Sequence, residues 1–470
     1  MANFAGQAIS ESYQRVLQID GGEIQNGAGN SVDGTIKSLA VQNALSAKTV
    51  NKLTLGLGGS NINTNIALGT SALLSNTTGN YNVALGTSAL QSNTTGNYNV
   101  ALGTSALLNN TEGNQNIALG SSALSQNTTG GSNVALGVVA LTQNTTGGSN
   151  VALGEGALYN NTTGNNNVAL GAGAMSSKTA LNEGNNNIAL GQSALAFNTT
   201  GNSNVAQGYR ALQQNTTGTS NIALGESSLL YNTTGNSNIA LGVSALQNNT
   251  YGNYNVALGV SALRSNTEGT QNVALGPNAL YYNTLGTQNI ALGYQSLKSN
   301  TTGTGNVALG GGALQNFQSS NNIAFGLHAL TGQKISDGFG GYTYSTGTNN
   351  IAQGYKALYS NTTGDQNIAL GYYSLINNTT GYNNVALGYA SLSQNTTGSF
   401  NSGLGYGVQS GDFSGSLILG TFATATANGQ LALGSPTYPI GPIATELSAS
   451  STHTLAINLN GNTYRLLMVQ

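Results

Sequence analysis

The chain has 470 residues, of which 5% are charged and 67 are glycine, and its formal net charge is −2. Low charge with regular apolar spacing is not typical of a disordered chain, and no basic stripe indicates a nucleic acid or an anionic membrane as partner. The absence of cysteine excludes disulfides and thiolate metal sites. The composition therefore predicts a fibrous β protein that is stabilised by stacking.

Residues 1–53 lie before the first regular unit and contain a short charged stretch that ends at Gly21-Gly22. They show neither the basic region nor the apolar core of a secretory signal. No apolar run along the chain reaches the roughly 18 residues of a transmembrane helix, so no membrane insertion is expected. On these residues alone, the segment is predicted to cap the first coil.

A 17-residue unit repeats through residues 54–405. One copy begins with Asn82-Val83-Ala84-Leu85-Gly86 and closes with Asn93-Thr94-Thr95-Gly96. The glycine after the leucine, termed the marker glycine, recurs in twenty copies from Gly69 to Gly405. A fixed period is typical of a solenoid, a propeller or an array, while the apolar alternation predicts a strand and Asn-Thr-Thr-Gly a turn. Each unit is therefore predicted to form one coil with two short strands, in an all-β, parallel β-roll or β-solenoid of 17-residue coils.

Four columns emerge when the copies are aligned. Asn stands four residues before the marker glycine in all twenty copies, so stacked coils are expected to align these amides in a ladder. The Val or Ile three residues before it and the Leu one residue before it share a face and are predicted to form the core. The Ala between them occurs in nineteen copies, and such a restricted face indicates close contact with another surface.

The restricted alanine face predicts a homotrimer, intertwined or side by side, because a thin coil encloses little apolar volume of its own. The alanine column is then expected at or near the subunit contact. The alternative is a single solenoid in which the alanines form a flat, exposed sheet.

The run Asn82-Val83-Ala84-Leu85-Gly86, followed by a small residue, Ala89 and Leu90, resembles the head repeat of trimeric autotransporter adhesins. That resemblance implies a left-handed parallel β-roll built by three chains, with Asn-Thr-Thr-Gly as an extended corner, since the adhesin repeats are shorter. The repeat is also similar to the shafts of phage tail fibres. Such adhesins need an export signal and a C-terminal membrane anchor, and the sequence shows neither, so the resemblance to phage fibres is favoured.

The N-terminal segment resembles the opening of fibre proteins from marine and cyanobacterial phages, where a short segment fixes the fibre to the virion. The resemblance implies contact with a tail or baseplate protein. The residues predicted to make it are Tyr13, Arg15, Leu17 and Ile19.

The largest interruption of the array adds eleven residues between the marker glycines Gly326 and Gly354. Insertions in solenoids emerge as loops on one face, and glycine with aromatic residues is typical of adaptable binding loops. The candidate receptor-binding residues here are Phe339, Tyr342 and Tyr344. A surface loop packed on its own shaft is the alternative.

A second candidate is an aromatic column directly after the marker glycine in four consecutive late units. Its members are Tyr355, Tyr372, Tyr389 and Tyr406. Stacked coils are expected to place these rings about one strand spacing apart, in a ladder that could stack on sugar rings. A stabilising ladder without a ligand is the alternative, and it is the favoured one.

Nothing in the sequence indicates an enzyme, a metal site or a cofactor. His328 and His453 are far apart, and no paired carboxylates occur in matching columns of the same or adjacent units. The Asn-Thr-Thr triplets match the glycosylation sequon, but they are interpreted as turns.

After Gly405 the period shortens, and prolines from Pro436 to Pro442 break the pattern. The last stretch alternates apolar residues on both sides of Asn460-Gly461, which predicts a hairpin. Residues 406–470 are therefore predicted to form a small C-terminal β tip.

Together with these patterns, the resemblance to phage fibres implies a structural phage fibre, a tail fibre or related virion appendage, that faces the exterior and attaches to a glycan or protein of the host surface. A bacterial cell-surface adhesin or filament subunit is the alternative. An ice- or surface-binding solenoid is weaker, because the Thr pairs fall in the predicted turn.

Overall fold

The computed structural model describes residues 18–20, 23–25, 53–60, 62–177, 181–336, 338, 342–438, 453–459 and 462–468. Residues 18–20, 23–25, 53–56, 453–459 and 462–468 are described as backbone only. The chain divides into two compact units, Met1–Asn150 and Val151–Gln470. Within the described segments every regular element is a β-strand.

Among the described residues, the first unit holds eight strands. They are β1 (Gln18–Asp20), β2 (Glu23–Gln25), β3 (Leu53–Gly56), β4 (Ile66–Thr70), β5 (Val83–Leu85), β6 (Val100–Leu102), β7 (Ile117–Leu119) and β8 (Val134–Leu136). Strands β4 to β8 pair in parallel, β3 pairs antiparallel with β4, and β1 pairs antiparallel with β2. Strand β3 thus covers the N-terminal edge of this parallel sheet, which would otherwise offer unpaired backbone groups.

The second unit continues with one strand per coil. Its strands are β9 (Val151–Leu153), β10 (Val168–Leu170), β11 (Ile188–Leu190), β12 (Val205–Gln207), β13 (Ile222–Leu224), β14 (Ile239–Leu241), β15 (Val256–Leu258), β16 (Val273–Leu275), β17 (Ile290–Leu292), β18 (Val307–Leu309), β19 (Ile323–Phe325), β20 (Lys334–Ser336), β21 (Tyr342–Tyr344), β22 (Ile351–Gln353), β23 (Ile368–Leu370), β24 (Val385–Leu387), β25 (Ser402–Leu404), β26 (Leu417–Leu419), β27 (Leu431–Leu433), β28 (His453–Leu459) and β29 (Asn462–Met468). All except β20, β21, β28 and β29 pair in parallel with the strand of the next coil.

Pairing between the strands of successive coils is residue for residue, also where the interval between them departs from 17 residues, as for Ile323 with Ile351. Val256 pairs with Val273, Ala257 with Ala274 and Leu258 with Leu275. Each position of the repeat therefore becomes a column along the stack. The predicted all-β parallel solenoid of 17-residue coils is confirmed.

Each regular coil carries one strand, so the prediction of two strands per coil is wrong. After the strand, left-handed backbone at Ser88 (φ 56°) and Leu90 (φ 50°) turns the chain, so that Ala89 and Leu90 both point inward and are fully buried. A strand cannot bury two consecutive residues on one side. Backbone hydrogen bonds still join the coils here, as from Leu90 N to the carbonyl of Ala106 at 3.0 Å.

The core is the reverse of the predicted one. Ala84 is fully buried, whereas Val83 and Leu85 on the same strand are half-buried and point outward. The narrow interior of the regular coils is filled by alanine, one leucine and asparagine, and close packing there leaves no space for a further branched side chain. The prediction that Val/Ile and Leu form the core is therefore wrong, and so is the placement of the alanine column at a subunit contact.

The predicted asparagine ladder is confirmed, and a second ladder runs beside it. In the predicted ladder, Asn99 donates from its backbone N to Asn82 Oδ1 at 2.9 Å and from Nδ2 to the carbonyl of Gly113 at 2.8 Å. In the second, Asn93 Nδ2 donates to Asn76 Oδ1 at 2.9 Å. The second ladder uses the Asn of Asn-Thr-Thr-Gly, whose side chain is buried, in agreement with its interpretation as a turn.

The C-terminal region retains the parallel stack beyond Gly405. Strand β26 pairs in parallel with β25 and β27 as far as Leu433. The predicted terminal hairpin is confirmed, since β28 pairs antiparallel with β29 and Leu459 faces Asn462 across the turn. The boundaries at 53/54 and 405/406 stay predictions.

Replacing a marker glycine should disturb two coils at once. Gly259→Ala is expected to lower the free energy of unfolding by about 1–3 kcal/mol, because its Cβ would lie 2.7 Å from the backbone carbon of Gly276 and its φ is +133°. The matched control is Gly156→Ser: no atom lies within 4 Å of the added Cβ, and Ser88 occupies the equivalent position of another coil at φ 56°. Urea unfolding followed by circular dichroism measures both, and equal transitions would contradict the close stacking.

Candidate binding surfaces

The insertion after Gly326 forms an antiparallel hairpin. Strands β20 and β21 pair Lys334 with Tyr344 and Ser336 with Tyr342. Tyr342 is exposed and Tyr344 is half-buried, while Phe339 lies outside the described residues. The hairpin brings two of the three predicted residues together on an exposed element.

A lysine that sequence reasoning missed completes this hairpin. Lys334 Nζ lies 3.8 Å from the ring centroid of Tyr342 and 5.9 Å from that of Tyr344, in cation–π contact. The contact depends on how the two strands pair. That pairing cannot be predicted from the sequence until the length of the turn is known. One face of Tyr342 is thereby occupied by the ammonium group, while the side chain as a whole remains exposed.

The base of the hairpin is fixed in the coil. Buried Ser345 accepts a hydrogen bond from Gln333 N and donates one to the carbonyl of Asn361, both at 2.8 Å. Phe317 in the preceding coil is fully buried and forms a parallel bridge with Ser345. These contacts position the hairpin relative to the coils that flank it.

The tyrosine column forms as predicted. Tyr372 and Tyr389 stack with ring centroids 5.4 Å apart and planes within 7°, and Tyr389 and Tyr406 stack at 5.0 Å and 8°. Tyr355 lies 4.9 Å from Tyr372 at a tilt of 31°. Because the coils stack in register, the residue that follows each marker glycine lies next to the equivalent residue of the preceding coil. The column could therefore be predicted from the sequence.

Two further rings extend the column and were missed. Phe422 lies 5.1 Å from Tyr406 at 85°, and Tyr438 lies 5.7 Å from Phe422. Phe422 stands two residues after its glycine rather than one, and Tyr438 follows the last strand of the stack. Neither carries the positional signal that identified the other four rings.

The stacking limits how this column can meet a sugar. Tyr389 has a parallel ring on each face, so its faces are shared with Tyr372 and Tyr406, and Tyr373 lies at 63° to it with centroids 6.4 Å apart. Only the end rings, which are tilted or perpendicular to their neighbours, offer a face to a ligand. The geometry therefore favours the stabilising role for the middle of the column.

The phenol of Tyr372 is held in its neutral form. A hydrogen bond with Tyr373 raises the pKa of Tyr372 to about 12, with smaller contributions from desolvation and the neighbouring tyrosines. At the N-terminal end of the column, Lys356 Nζ lies 5.3 Å from the ring centroids of both Tyr355 and Tyr359. The column therefore has one cation at its N-terminal end and a raised phenol pKa at Tyr372.

A third surface consists of the outward Val or Ile and the outward Leu of each strand, termed the outer strand face. In the first unit it includes Ile66 and Leu68, and in the second Ile290 and Leu404, all four exposed. The Asn-Thr-Thr-Gly corner differs from this apolar face because it is polar, and its first threonine hydroxyl is engaged in a hydrogen bond to the next coil. Thr94 Oγ1 donates to the carbonyl of Thr111 at 2.8 Å. The outer strand face is thus a repeated apolar surface on otherwise largely polar coils.

The predicted virion-attachment residues are not brought into any site. Tyr13, Arg15 and Leu17 lie outside the described residues. Ile19 lies in β1, where its backbone pairs with Ile24. Their role stays a prediction.

Across the part of the chain that the structure describes, no group of three or more His, Asp or Glu side chains lies close enough to hold a metal ion. Nor does that part contain a helix long and apolar enough to span a membrane. No protein-family profile matches the sequence, and no curated protein matches it either. The assignment of function therefore depends on the repeat and on these surfaces.

Titration of Tyr372 should be displaced upward from the ordinary tyrosine value of 10.0. The difference between the ultraviolet titrations of the native protein and Tyr372→Phe isolates this phenol, and we expect a midpoint near pH 12. Tyr373→Phe removes the main cause and should return the midpoint toward 10. The phenol loses its proton at a lower pH in the unfolded state than in the folded state. Ionisation of Tyr372 should therefore lower the free energy of unfolding as pH rises between about 10 and 12. A midpoint that Tyr373→Phe leaves unchanged would contradict the hydrogen bond as its cause.

Proposed function

We propose that this protein is a non-enzymatic structural fibre of a phage virion, a tail fibre or related appendage, that assembles as a homotrimer and attaches to the host cell surface. The observation that carries the proposal is the long run of near-identical coils that repeat one apolar outer face. In the second unit alone, seventeen strands stack in parallel, which at about 4.8 Å per strand gives a stack on the order of 80 Å.

Self-association through the outer strand face is supported by its extent. Soluble monomers rarely expose contiguous apolar patches of more than about a few hundred Å². Here two outward apolar side chains recur on nearly every strand, and many are more than a third exposed. A second and third copy of the chain would cover this face, and three copies are proposed because of the resemblance to trimeric fibres.

The proposed attachment sites are at different places along the chain. Residues 1–53 would contact a tail or baseplate protein. The hairpin with Tyr342 and Tyr344, and the end rings of the tyrosine column, would contact a host glycan or protein. Three copies of each surface would make binding multivalent, so that weak contacts per chain suffice.

The second candidate is a cell-surface adhesin or filament subunit, which the Asn-Val-Ala-Leu-Gly unit favours equally well because both classes resemble it. An ice- or surface-binding role is less well supported. The first threonine of the corner, as at Thr94, uses its hydroxyl to bond the next coil instead of presenting it to a surface.

Light scattering of the purified chain should give about three times 47.4 kDa. Val256→Glu with Leu258→Glu places charges on the outer strand face, where a partner would desolvate them, and should release monomers. The control is Thr234→Glu, because Glu112 and Glu268 occupy the same exposed position of other coils. A native mass of one chain would contradict the homotrimer and favour a single solenoid.

Host attachment can be tested with fluorescently labelled protein on a panel of bacterial strains and on a glycan array. We expect saturable binding to a subset of strains, and a loss of tenfold or more for Tyr342→Ala with Tyr344→Ala, since avidity multiplies each weak contact. The control is Tyr254→Ala, which removes an exposed tyrosine outside the hairpin. Equal binding by both variants would remove the hairpin from the receptor site, and binding to no strain would contradict attachment.

A further inference from the structure

The three middle rings of the tyrosine column form the longest series of parallel rings in the described part of the chain. Tyr372, Tyr389 and Tyr406 are each more than two-fifths exposed, and consecutive centroids lie 5.4 and 5.0 Å apart. One further pair has this geometry, Tyr81 and Tyr98 at 4.9 Å and 8°. Each such pair joins two consecutive coils, so its members are 17 residues apart in sequence.

We infer that these stacked tyrosines are sites of oxidative cross-linking between consecutive coils of one chain. A haem peroxidase with hydrogen peroxide, the oxidant class required, removes one electron and one proton from each of two phenols. The two phenoxyl radicals then form one carbon–carbon bond between the ring carbons next to the oxygens. The hydrogen on each newly bonded carbon moves to the oxygen of its own ring, which restores two aromatic phenols. In sum, two tyrosines and one peroxide give one dityrosine and two waters.

The stack supplies what this coupling needs. Two radicals must meet before either is quenched, and rings held about 5 Å apart convert that encounter into a step within one molecule. The exposure of the ring edges admits the oxidant. Equally exposed tyrosines without a neighbouring ring have no such partner and can couple only by collision with another molecule.

The consequence would be a covalent bond that reinforces the stacking of coils. A bond between residues 17 apart closes a loop in the unfolded chain and so reduces its conformational freedom, as a disulfide does. Such reinforcement suits a chain that has no cysteine. The inference does not depend on the proposed function, since it concerns rings of one chain.

An earlier coil of the chain contains a matched control for the tyrosine column. Tyr294 also follows a marker glycine and is exposed, but the equivalent positions of the adjacent coils are Pro277 and Gly311. No aromatic ring contacts Tyr294 among the residues that the structure describes. It should remain unlinked within the chain under conditions that couple Tyr389.

The test treats dilute protein with peroxidase and hydrogen peroxide, then combines dityrosine fluorescence, a denaturing gel and peptide mass mapping. We expect a gel band of unchanged chain mass, with linked peptides that join Tyr389 to Tyr372 or Tyr406. Tyr389→Phe keeps a stacked ring but has no phenol, and it should remove both links. Pro277→Tyr should create a new link to Tyr294.

Two results would overturn the inference. One is a product dominated by covalent multimers, which would show coupling by collision or between subunits. The other is fluorescence that Tyr389→Phe leaves unchanged while Tyr294 is consumed at the same rate as the stacked rings. Circular dichroism of each variant before oxidation establishes that the fold is intact, so that a lost link is not a lost structure.

Discussion

The fold depends on residue-for-residue stacking of coils around a very narrow interior. The buried amides of the asparagine ladders bond to the equivalent amide of an adjacent coil and to backbone carbonyls, as Asn238 Nδ2 does with Asn221 Oδ1 of the preceding coil at 3.2 Å and with the carbonyl of Gly252 at 2.8 Å. An unpaired buried amide group costs about 1–3 kcal/mol. A shift of one residue in register would unpair a whole column, so the residue-for-residue register is the condition for burying asparagine at all. That register is kept even where the interval is 28 residues, since Asn350 N donates to Asn322 Oδ1 at 2.9 Å.

The same narrow interior determines what the surface offers. With Ala84, Ala89 and Leu90 filling the inside, the larger apolar residues of the strand must face outward. A repeat with so little charge has few means of keeping that face in water. The apolar outer strand face is thus a direct result of the small core, and self-association is the simplest way to cover it.

Sequence reasoning could predict whatever follows from the period alone. The asparagine ladder and the stacking of Tyr372 on Tyr389 need only equal spacing and parallel register. The inside and outside of the strand could not be assigned in this way, because alternation defines two faces without saying which one is enclosed. The deciding fact was the left-handed backbone at Ser88 and Leu90, which a pattern of apolar residues does not reveal. Lys334 was missed because its contact with Tyr342 depends on the register of a hairpin rather than on the repeat.

The departure from the repeat at the hairpin shows how an insertion is accommodated. Phe317 occupies the position of the corner asparagine, so Asn300 Oδ1 in the preceding coil has no hydrogen-bond donor. The buried ring fills the space beside Gly332, where an added Cβ would lie 2.5 Å from it, and Ser345 restores the hydrogen bonding toward Asn361. One unpaired acceptor and one large apolar side chain therefore replace a full rung of the ladder. An array whose stability is a sum over neighbouring coils can tolerate such a local cost, and this makes it a suitable support for an exposed hairpin.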